Sequence, residues 1–179
     1  MFMISLMFCL LTQAAQPAPP PDLPAAPGVY HRQDGARWAM IAPAVIADTK
    51  TKGMSLFLET GGFYNPDLTV IYRGTRAPTQ IPETRPVFYV RAVGSAKDAV
   101  IVRLTGKKDS RTLQTSAASA GTDNKGGFVK KDIRNVTVTV FSDNSFAITP
   151  DDPLKPGEYL LLLGLAHAGF DFGVVPGGK

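Results

Sequence analysis

Short apolar runs separated by turn residues make up most of the chain, and they predict a β-sheet protein. The clearest pattern lies at 136–140, where valines occupy every second position and Thr137 and Thr139 fall between them. This period of two is that of a strand with one buried face. The other runs are short, with Gly, Pro, Asn or Asp at nearly every interval. The spacing favours an all-β domain, a β-sandwich or small barrel of short antiparallel strands, over alternating strands and helices.

The predicted strands share these short lengths and flanking turns. They lie at 28–32, 37–41, 43–47, 68–73, 85–93, 99–104, 112–115, 135–141 and 146–149. Between them, 48–53 is predicted as a turn, and 54–60 fits a short helix or a strand equally well. Residues 116–127 are small, polar and Gly-rich, which predicts a mobile surface loop. The strand at 112–115 is expected at a sheet edge.

The longest apolar run outside the N-terminus lies at 154–164 and begins from the Pro156-Gly157 turn. A second apolar run follows at 170–175. A continuous apolar run has no polar side to turn to solvent, so it is typical of a strand that is covered on both faces. We therefore expect the last strands of the sheet here, one of them buried on both faces.

One turn near the start of the domain is predicted in more detail. Asp34-Gly35 stands between two runs that carry aromatic residues, which predicts a β-hairpin. Trp38 is the only Trp of the chain and would lie on this hairpin. Because a Trp side chain buries a large area, a core anchor is favoured over a ligand platform.

The N-terminus has the pattern of an export signal. Residues 1–11 are almost all apolar and are followed by small and polar residues at 12–16. This order is typical of a secretory signal peptide, and about 11 apolar residues are too few for a membrane span, which needs roughly 20. A buried N-terminal strand is the alternative. The sequence predicts a signal peptide at 1–15, an extended Pro/Ala-rich linker at 16–27, a β-rich domain at 28–176 and a tail at 177–179. Export to the periplasm or the extracellular space is therefore expected.

The residue types that carry most enzyme chemistry are scarce. Cys9, the only cysteine, lies in the predicted signal peptide, so the exported chain has no thiol for a disulfide, a metal or a nucleophile. His31 and His167 have no partner at metal-binding spacing and are interpreted as surface or turn residues. No Gly-x-Ser-x-Gly sequence or phosphate-binding loop is present, and Asp151-Asp152 between prolines indicates a turn rather than a cation site. No catalytic residue, metal or cofactor is predicted.

Charge is unevenly distributed. The whole chain carries +4, yet residues 73–134 contain thirteen Lys or Arg against five Asp or Glu. Solvated strand edges and loops account for most such charges in proteins. The alternative is a basic face that binds an anionic envelope component or another protein. Its candidate binding residues are Lys107, Lys108, Arg111, Lys130, Lys131 and Arg134. No aromatic residue lies among the basic residues of 107–111 or of 130–134, so nucleic acid is not an expected partner.

Five segments together resemble a family of secreted bacterial proteins of the acidobacterial type. They are 28–32 with Trp38, 49–53, 103–111, 154–159 and 170–174. No activity is attached to these motifs, so the resemblance implies only a β-rich exported domain. The element from Leu154 to Tyr159 is also similar to the last hairpin of transthyretin-like and other immunoglobulin-like sandwiches, which again implies a sandwich.

Two hypotheses about function follow. The first is an exported non-enzymatic β-domain that acts as a binding or accessory protein of the cell envelope, which requires an exposed basic or apolar patch. The second is an envelope hydrolase that acts on an anionic polymer or peptide, which requires His31 or His167 beside an Asp or Glu in a pocket. Two histidines isolated on the surface would exclude the second, and the scarcity of catalytic motifs favours the first.

Overall fold

The computed structural model describes residues 17–52, 58–59, 67–115, 128–164 and 169–176. Apart from one 3₁₀ turn at Lys130–Asp132, the regular structure named here is extended. The strands, numbered in chain order, are β1 (Gly28–Gln33), β2 (Arg37–Met40), β3 (Ile46–Lys52), β4 (Asp67–Arg73), β5 (Thr79–Ile81), β6 (Phe88–Arg91), β7 (Ala99–Arg103), β8 (Thr105–Gly106), β9 (Ser110–Thr115), β10 (Ile133–Arg134), β11 (Val136–Ser142), β12 (Ser145–Pro150), β13 (Gly157–Leu163) and β14 (Phe170–Val174).

These strands form three open sheets that pack in layers. The front sheet has the order β11-β12-β6-β1-β2, the central sheet β10-β7-β13-β14-β5, and the back sheet β3-β4-β9-β8. Neighbouring strands pair antiparallel except β14 and β5, which are parallel. The predicted all-β class is confirmed, and the packed sheets are those of a sandwich rather than a closed barrel.

Strand β13 lies in the middle of the molecule and separates two hydrophobic cores. Tyr159 and Leu161 point to the front core, whereas Leu160 and Leu162 point to the back core, and all four are fully buried. Each buried leucine stabilises the fold by roughly 1.5–3 kcal/mol relative to an exposed one. The prediction of a strand buried on both faces is confirmed, because both faces of β13 meet another sheet.

The hairpin predicted at Asp34-Gly35 is also confirmed. β1 and β2 pair antiparallel, with Gln33 opposite Arg37. Asp34 has φ 51° and Gly35 has φ 69°. Two successive positive φ values belong to the tight turn whose twist matches that of a hairpin, and Asp-Gly is a preferred sequence for it.

The back sheet departs from the expected pattern. The predicted turn at 48–53 is wrong, because residues 46–52 form the edge strand β3, whose side chains are all exposed. A strand that is exposed on both faces shows no alternation of apolar and polar residues. At 49–52 only polar residues, Thr and Lys, follow one another. The strand β9 was expected at an edge but lies between β4 and β8. Residues 116–127, and all of 54–60 except 58–59, lie outside the described residues.

The predicted linker differs from a free spacer over its described part, residues 17–27. Leu23 is buried, and the Asp22 carboxylate accepts hydrogen bonds from the Arg32 guanidinium and from Trp38 Nε1, the latter at 3.2 Å. The Tyr30 hydroxyl donates to the carbonyl oxygen of Ala26 at 2.9 Å. The segment is therefore attached to the hairpin β1–β2 through the Asp22 side chain and the Ala26 backbone.

Residues 1–16 and 177–179 lie outside the described part of the chain, so the signal peptide and the tail remain predictions. Within the described ranges, no helix has the length and hydrophobicity needed to cross a membrane.

Candidate functional site

Two chain crossings between sheets meet at one end of the sandwich. At Asn135 the chain leaves β10 of the central sheet and enters β11 of the front sheet. After β12 it returns to the central sheet through residues 151–156. The Asp151 amide donates to the Asn135 carbonyl oxygen at 3.0 Å and holds the two crossings together. Between them, beside the end of β7, lies a cavity of about 370 Å³.

This cavity is lined mainly by charged and polar side chains, and we name it the cationic cavity. Its lining residues are Arg103, Ile133, Arg134, Asn135, Asp152, Pro153 and Lys155. Three of them carry a positive charge and one a negative charge. The cavity volume lies at the small end of the range for ligand sites, roughly 300–1,000 Å³.

Arg103 occupies its place because a glycine faces it. It is the last residue of β7 and lies opposite Tyr159 in the pairing of β7 with β13. A Cβ atom at Gly157 would lie 3.2 Å from Nη2 and 3.3 Å from Nε of Arg103, so a larger residue there would crowd the guanidinium. Arg103 Nη2 also donates to the Pro156 carbonyl oxygen at 3.3 Å. The guanidinium thus rests against the backbone of β13, half-buried.

Arg134 is fixed by backbone carbonyls. Its Nη1 donates to the carbonyl oxygens of Lys131 and Ile133, both at 2.7 Å. Because Arg134 pairs with Ile101 and Arg103 lies two residues further along β7, the two arginines are diagonal neighbours on one face of the central sheet. The side chain is half-buried, like that of Arg103. Both guanidinium groups are therefore held in place before any ligand arrives.

A buried tyrosine supports the floor of the cationic cavity. The Tyr159 hydroxyl donates to the Lys155 carbonyl oxygen at 2.6 Å. Burial raises the pKa of Tyr159 above its ordinary value, although the charges of Arg103 and Arg134 and a hydrogen bond from Arg134 act in the opposite direction. The hydroxyl therefore keeps its proton at neutral pH and continues to hold Lys155 and its loop.

The cations of this cavity, like most cations of the described chain, have no carboxylate partner. Among the described residues, ion pairs within 4.0 Å involve only His31, Arg32 and Arg111 as the positive partner. Arg103, Arg134 and Lys155 have none. A guanidinium that is partly removed from water and has no counter-ion is well suited to a carboxylate or phosphate group, which it can meet through two parallel hydrogen bonds.

The structure distributes the six predicted binding residues over three places. Arg134 lines the cationic cavity, and Lys130 and Lys131 are exposed on the 3₁₀ turn that precedes it. Lys107 and Lys108 are exposed on the turn between β8 and β9. Whether any of these residues binds an anion remains a prediction.

Arg111, the sixth, is not part of a surface patch, because only 2% of it is exposed. Its Nη1 lies 2.6 Å from Oδ2 of Asp171 and 3.6 Å from Oε2 of Glu158. Its other nitrogens donate to the carbonyl oxygens of Arg73 and Gly74 at 2.8 and 3.1 Å. The residue therefore joins the back sheet to the central sheet. Local sequence could not show this, since both carboxylates come from β13 and β14, far along the chain.

Tyr72 borders the same buried cluster. Burial, and after it the charge of Asp171, raises the pKa of Tyr72, while Arg111 acts in the opposite direction. Glu158 is held as well: its Oε2 accepts from the Ala77 amide at 2.6 Å. The buried cluster of Arg111, Asp171 and Glu158 therefore stabilises the back core. None of the three lines the cationic cavity.

His31 was expected at the surface, and that expectation is wrong. On β1 it faces the front core, where only 5% of it is exposed. Its Nε2 lies 3.6 Å from Oε2 of Glu83, and both residues line a cavity of about 230 Å³ together with Arg85 and Tyr89. Its Nδ1 is buried without a hydrogen-bond partner in the described part of the chain. His167 lies outside the described residues.

Metal binding finds no support in the side chains that the structure describes, because no three His, Cys, Asp or Glu among them come together. Asp151 serves the turn predicted for it, since its Oδ1 accepts from the Thr137 hydroxyl at 2.8 Å. Sequence reasoning missed Arg103, Lys155 and Asp152 as site residues. No local signal marks them, because they become neighbours of Arg134 only through the pairing of β7 with β10 and through the returning loop.

Comparison of the chain with protein-family models, with curated proteins and with solved structures finds no match. The resemblance to secreted acidobacterial proteins therefore stays a prediction. The charges that line the cationic cavity and the cavity beside His31 are the observations that bear on function.

Proposed function

We propose that this protein is an exported, non-enzymatic β-domain that acts as a binding protein of the cell envelope and holds an anionic group in the cationic cavity. The observation that carries the proposal is the pair Arg103 and Arg134: two half-buried guanidinium groups, each held by backbone carbonyls and neither paired with a carboxylate of the described chain. Export is supported by the signal-like N-terminus.

The binding follows from elementary electrostatics. A carboxylate or phosphate in the cavity would accept hydrogen bonds from both guanidinium groups and from the Lys155 ammonium. Each hydrogen bond to a charged group is worth about 1.5–3 kcal/mol net. Since the arginines are already fixed, little side-chain entropy is lost when the anion arrives. The Lys155 side chain is exposed, so salt screens its part of the attraction.

Replacing Arg134 by glutamine is expected to weaken binding of inorganic phosphate and of polyglutamate about 10-fold to 100-fold, because one charge-assisted contact is lost. Isothermal titration calorimetry at about 0.05 M and about 0.3 M salt measures this, and the wild-type affinity should fall at the higher salt. Lys155→Gln removes a charge from an exposed side chain and tests the same cavity without affecting folding.

Lys108→Gln is the matched control, since it removes one positive charge from an exposed turn outside the cationic cavity. It should change the affinity by less than about threefold, which is the scale of a screened surface charge. Equal losses in the Lys108, Arg134 and Lys155 variants, or no binding of either probe by the wild-type protein, would contradict the proposal.

A second candidate, an envelope hydrolase, is favoured by one observation: His31 and Glu83 share a pocket with Arg85. In that function His31 Nε2 would take a proton from a water molecule, and Arg85 would stabilise the anionic intermediate. The hydrolase is the weaker candidate, because His31 Nδ1 is buried without a described partner that would orient the ring, and no Ser, Thr or Cys of the described chain lines the pocket.

Under the hydrolase hypothesis, His31→Gln should lower hydrolysis of p-nitrophenyl acetate or bis-p-nitrophenyl phosphate by roughly 100-fold or more, the usual contribution of a general base. The chain's other histidine provides the control, and His167→Gln should leave the rate unchanged. A wild-type rate no higher than that of the His31→Gln protein would exclude the hydrolase.

A further inference from the structure

Asp152 is the residue of the cationic cavity that a simple anion site does not explain. It is the one carboxylate among three cations in the lining, and no ion pair within 4.0 Å joins it to a described cation. A carboxylate in such a place repels an incoming anion and lowers its affinity. A site for phosphate or acetate alone would be improved by its removal.

The loop places this carboxylate in the cavity and its neighbour elsewhere. Asp151 is occupied on both sides, since its amide donates to Asn135 and its carboxylate accepts from Thr137. Three residues after Asp151, the Leu154 amide donates to the Thr84 carbonyl oxygen at 2.7 Å, and the Leu154 side chain is buried. Asp152 lies between these two anchors, with no hydrogen bond of its own among the described residues, and faces the cavity.

We infer that the cationic cavity takes a zwitterionic ligand, a free amino acid or a short peptide, whose carboxylate meets Arg103 and Arg134 and whose ammonium group meets Asp152. This inference rests on the proposed anion-binding function and adds the second half of the ligand. A cavity that holds unpaired charges of both signs can recognise a molecule that carries both.

The remaining lining residues agree with a small peptide. Pro153 offers apolar surface to a small aliphatic side chain, and the Asn135 amide can both donate to and accept from a peptide group. The volume of about 370 Å³ accommodates a ligand of one or two small residues. Large or strongly apolar side chains have no corresponding surface here.

Two dipeptides that differ only in the amine provide the test. Alanyl-alanine has a free ammonium group, and N-acetyl-alanyl-alanine has the same carboxylate without it. Calorimetric titration of the wild-type protein should show at least about tenfold tighter binding of the free dipeptide. Asp152→Asn should abolish this preference, by weakening the free dipeptide about tenfold and leaving the acetylated one unchanged or slightly tighter.

Asp151→Asn is the matched control, an identical change at the adjacent position outside the cavity, and should keep the preference. Three outcomes would overturn the zwitterion inference and leave anion binding standing. The wild-type protein could bind the acetylated dipeptide as tightly as the free one or more tightly, or Asp152→Asn could keep the preference. The protein could also bind phosphate but neither dipeptide. Absence of binding for both dipeptides, phosphate and polyglutamate would overturn both.

Discussion

Replacing Asp171 by asparagine is expected to lower the free energy of unfolding by about 3–5 kcal/mol, which is the cost of breaking a buried ion pair by removing one partner. Arg111 would keep its charge in the back core, with its Nη1 left to Glu158 at 3.6 Å. Almost no solvent reaches the pair, since the side chains of Arg111 and Asp171 are 2% and 3% exposed. The desolvated guanidinium, which keeps only the more distant Glu158 carboxylate, accounts for the size of the effect more than the lost attraction does.

Urea unfolding followed by circular dichroism measures this change at neutral pH. Asp22→Asn is the control, because it makes the same substitution in an ion pair with Arg32 whose side chains are 34% and 50% exposed. Surface pairs contribute about 0–1 kcal/mol, so this variant should remain close to the wild type. A cost for Asp171→Asn no larger than that for Asp22→Asn would show that the buried pair does not hold the sheets together.

A single methyl group at Gly94 is expected to cost about 2–5 kcal/mol. Gly94 has φ +65°, a conformation in which a residue with a Cβ is strained by about 1–2 kcal/mol. Its Cβ atom would also lie 2.7 Å from the Leu163 carbonyl oxygen and closer still to the Leu163 Cβ. Overpacking of this kind adds about 1–3 kcal/mol, because backbone has to move. Leu163 is the last residue of β13, so the shift would reach the central strand.

Gly35→Ala separates strain from crowding. Gly35 has a similar φ of +69°, but nothing lies within 4 Å of the position where its Cβ would be. The alanine there should cost only about 1–2 kcal/mol, the conformational part of the effect. Thermal or urea unfolding of the two variants gives the difference directly, and equal costs at both positions would contradict the clash with Leu163.

The sequence was most informative where one face of a strand is buried. Val136 and Val138 pack against the front core as their spacing predicts. The apolar run at β13 indicated burial on both faces because it offers no polar face to solvent. The Asp34-Gly35 turn could be predicted from the sequence for a different reason. Its backbone conformation admits few residue types, so local chemistry determines it.

The parts that could not be predicted depend on residues far apart in the chain. Arg111 looks exposed beside Lys107 and Lys108, and only the arrival of Asp171 and Glu158 makes its burial possible. His31 has no local signal for its place in the front core. The cationic cavity likewise needs β7, β10 and the loop after β12 together, so its residues show no motif. Edge strand β3 could not be predicted from the sequence, because neither of its faces is buried.

The position of β13 has a consequence for the order in which the molecule can be assembled. Of the strands that build the two cores, only β14 follows β13 in the chain. Until β13 arrives, the central sheet lacks the strand that joins β7 to β14, so the wall between the two cores is incomplete. A chain that stops short of β13 therefore lacks side chains that both cores need, so one strand completes the two cores together.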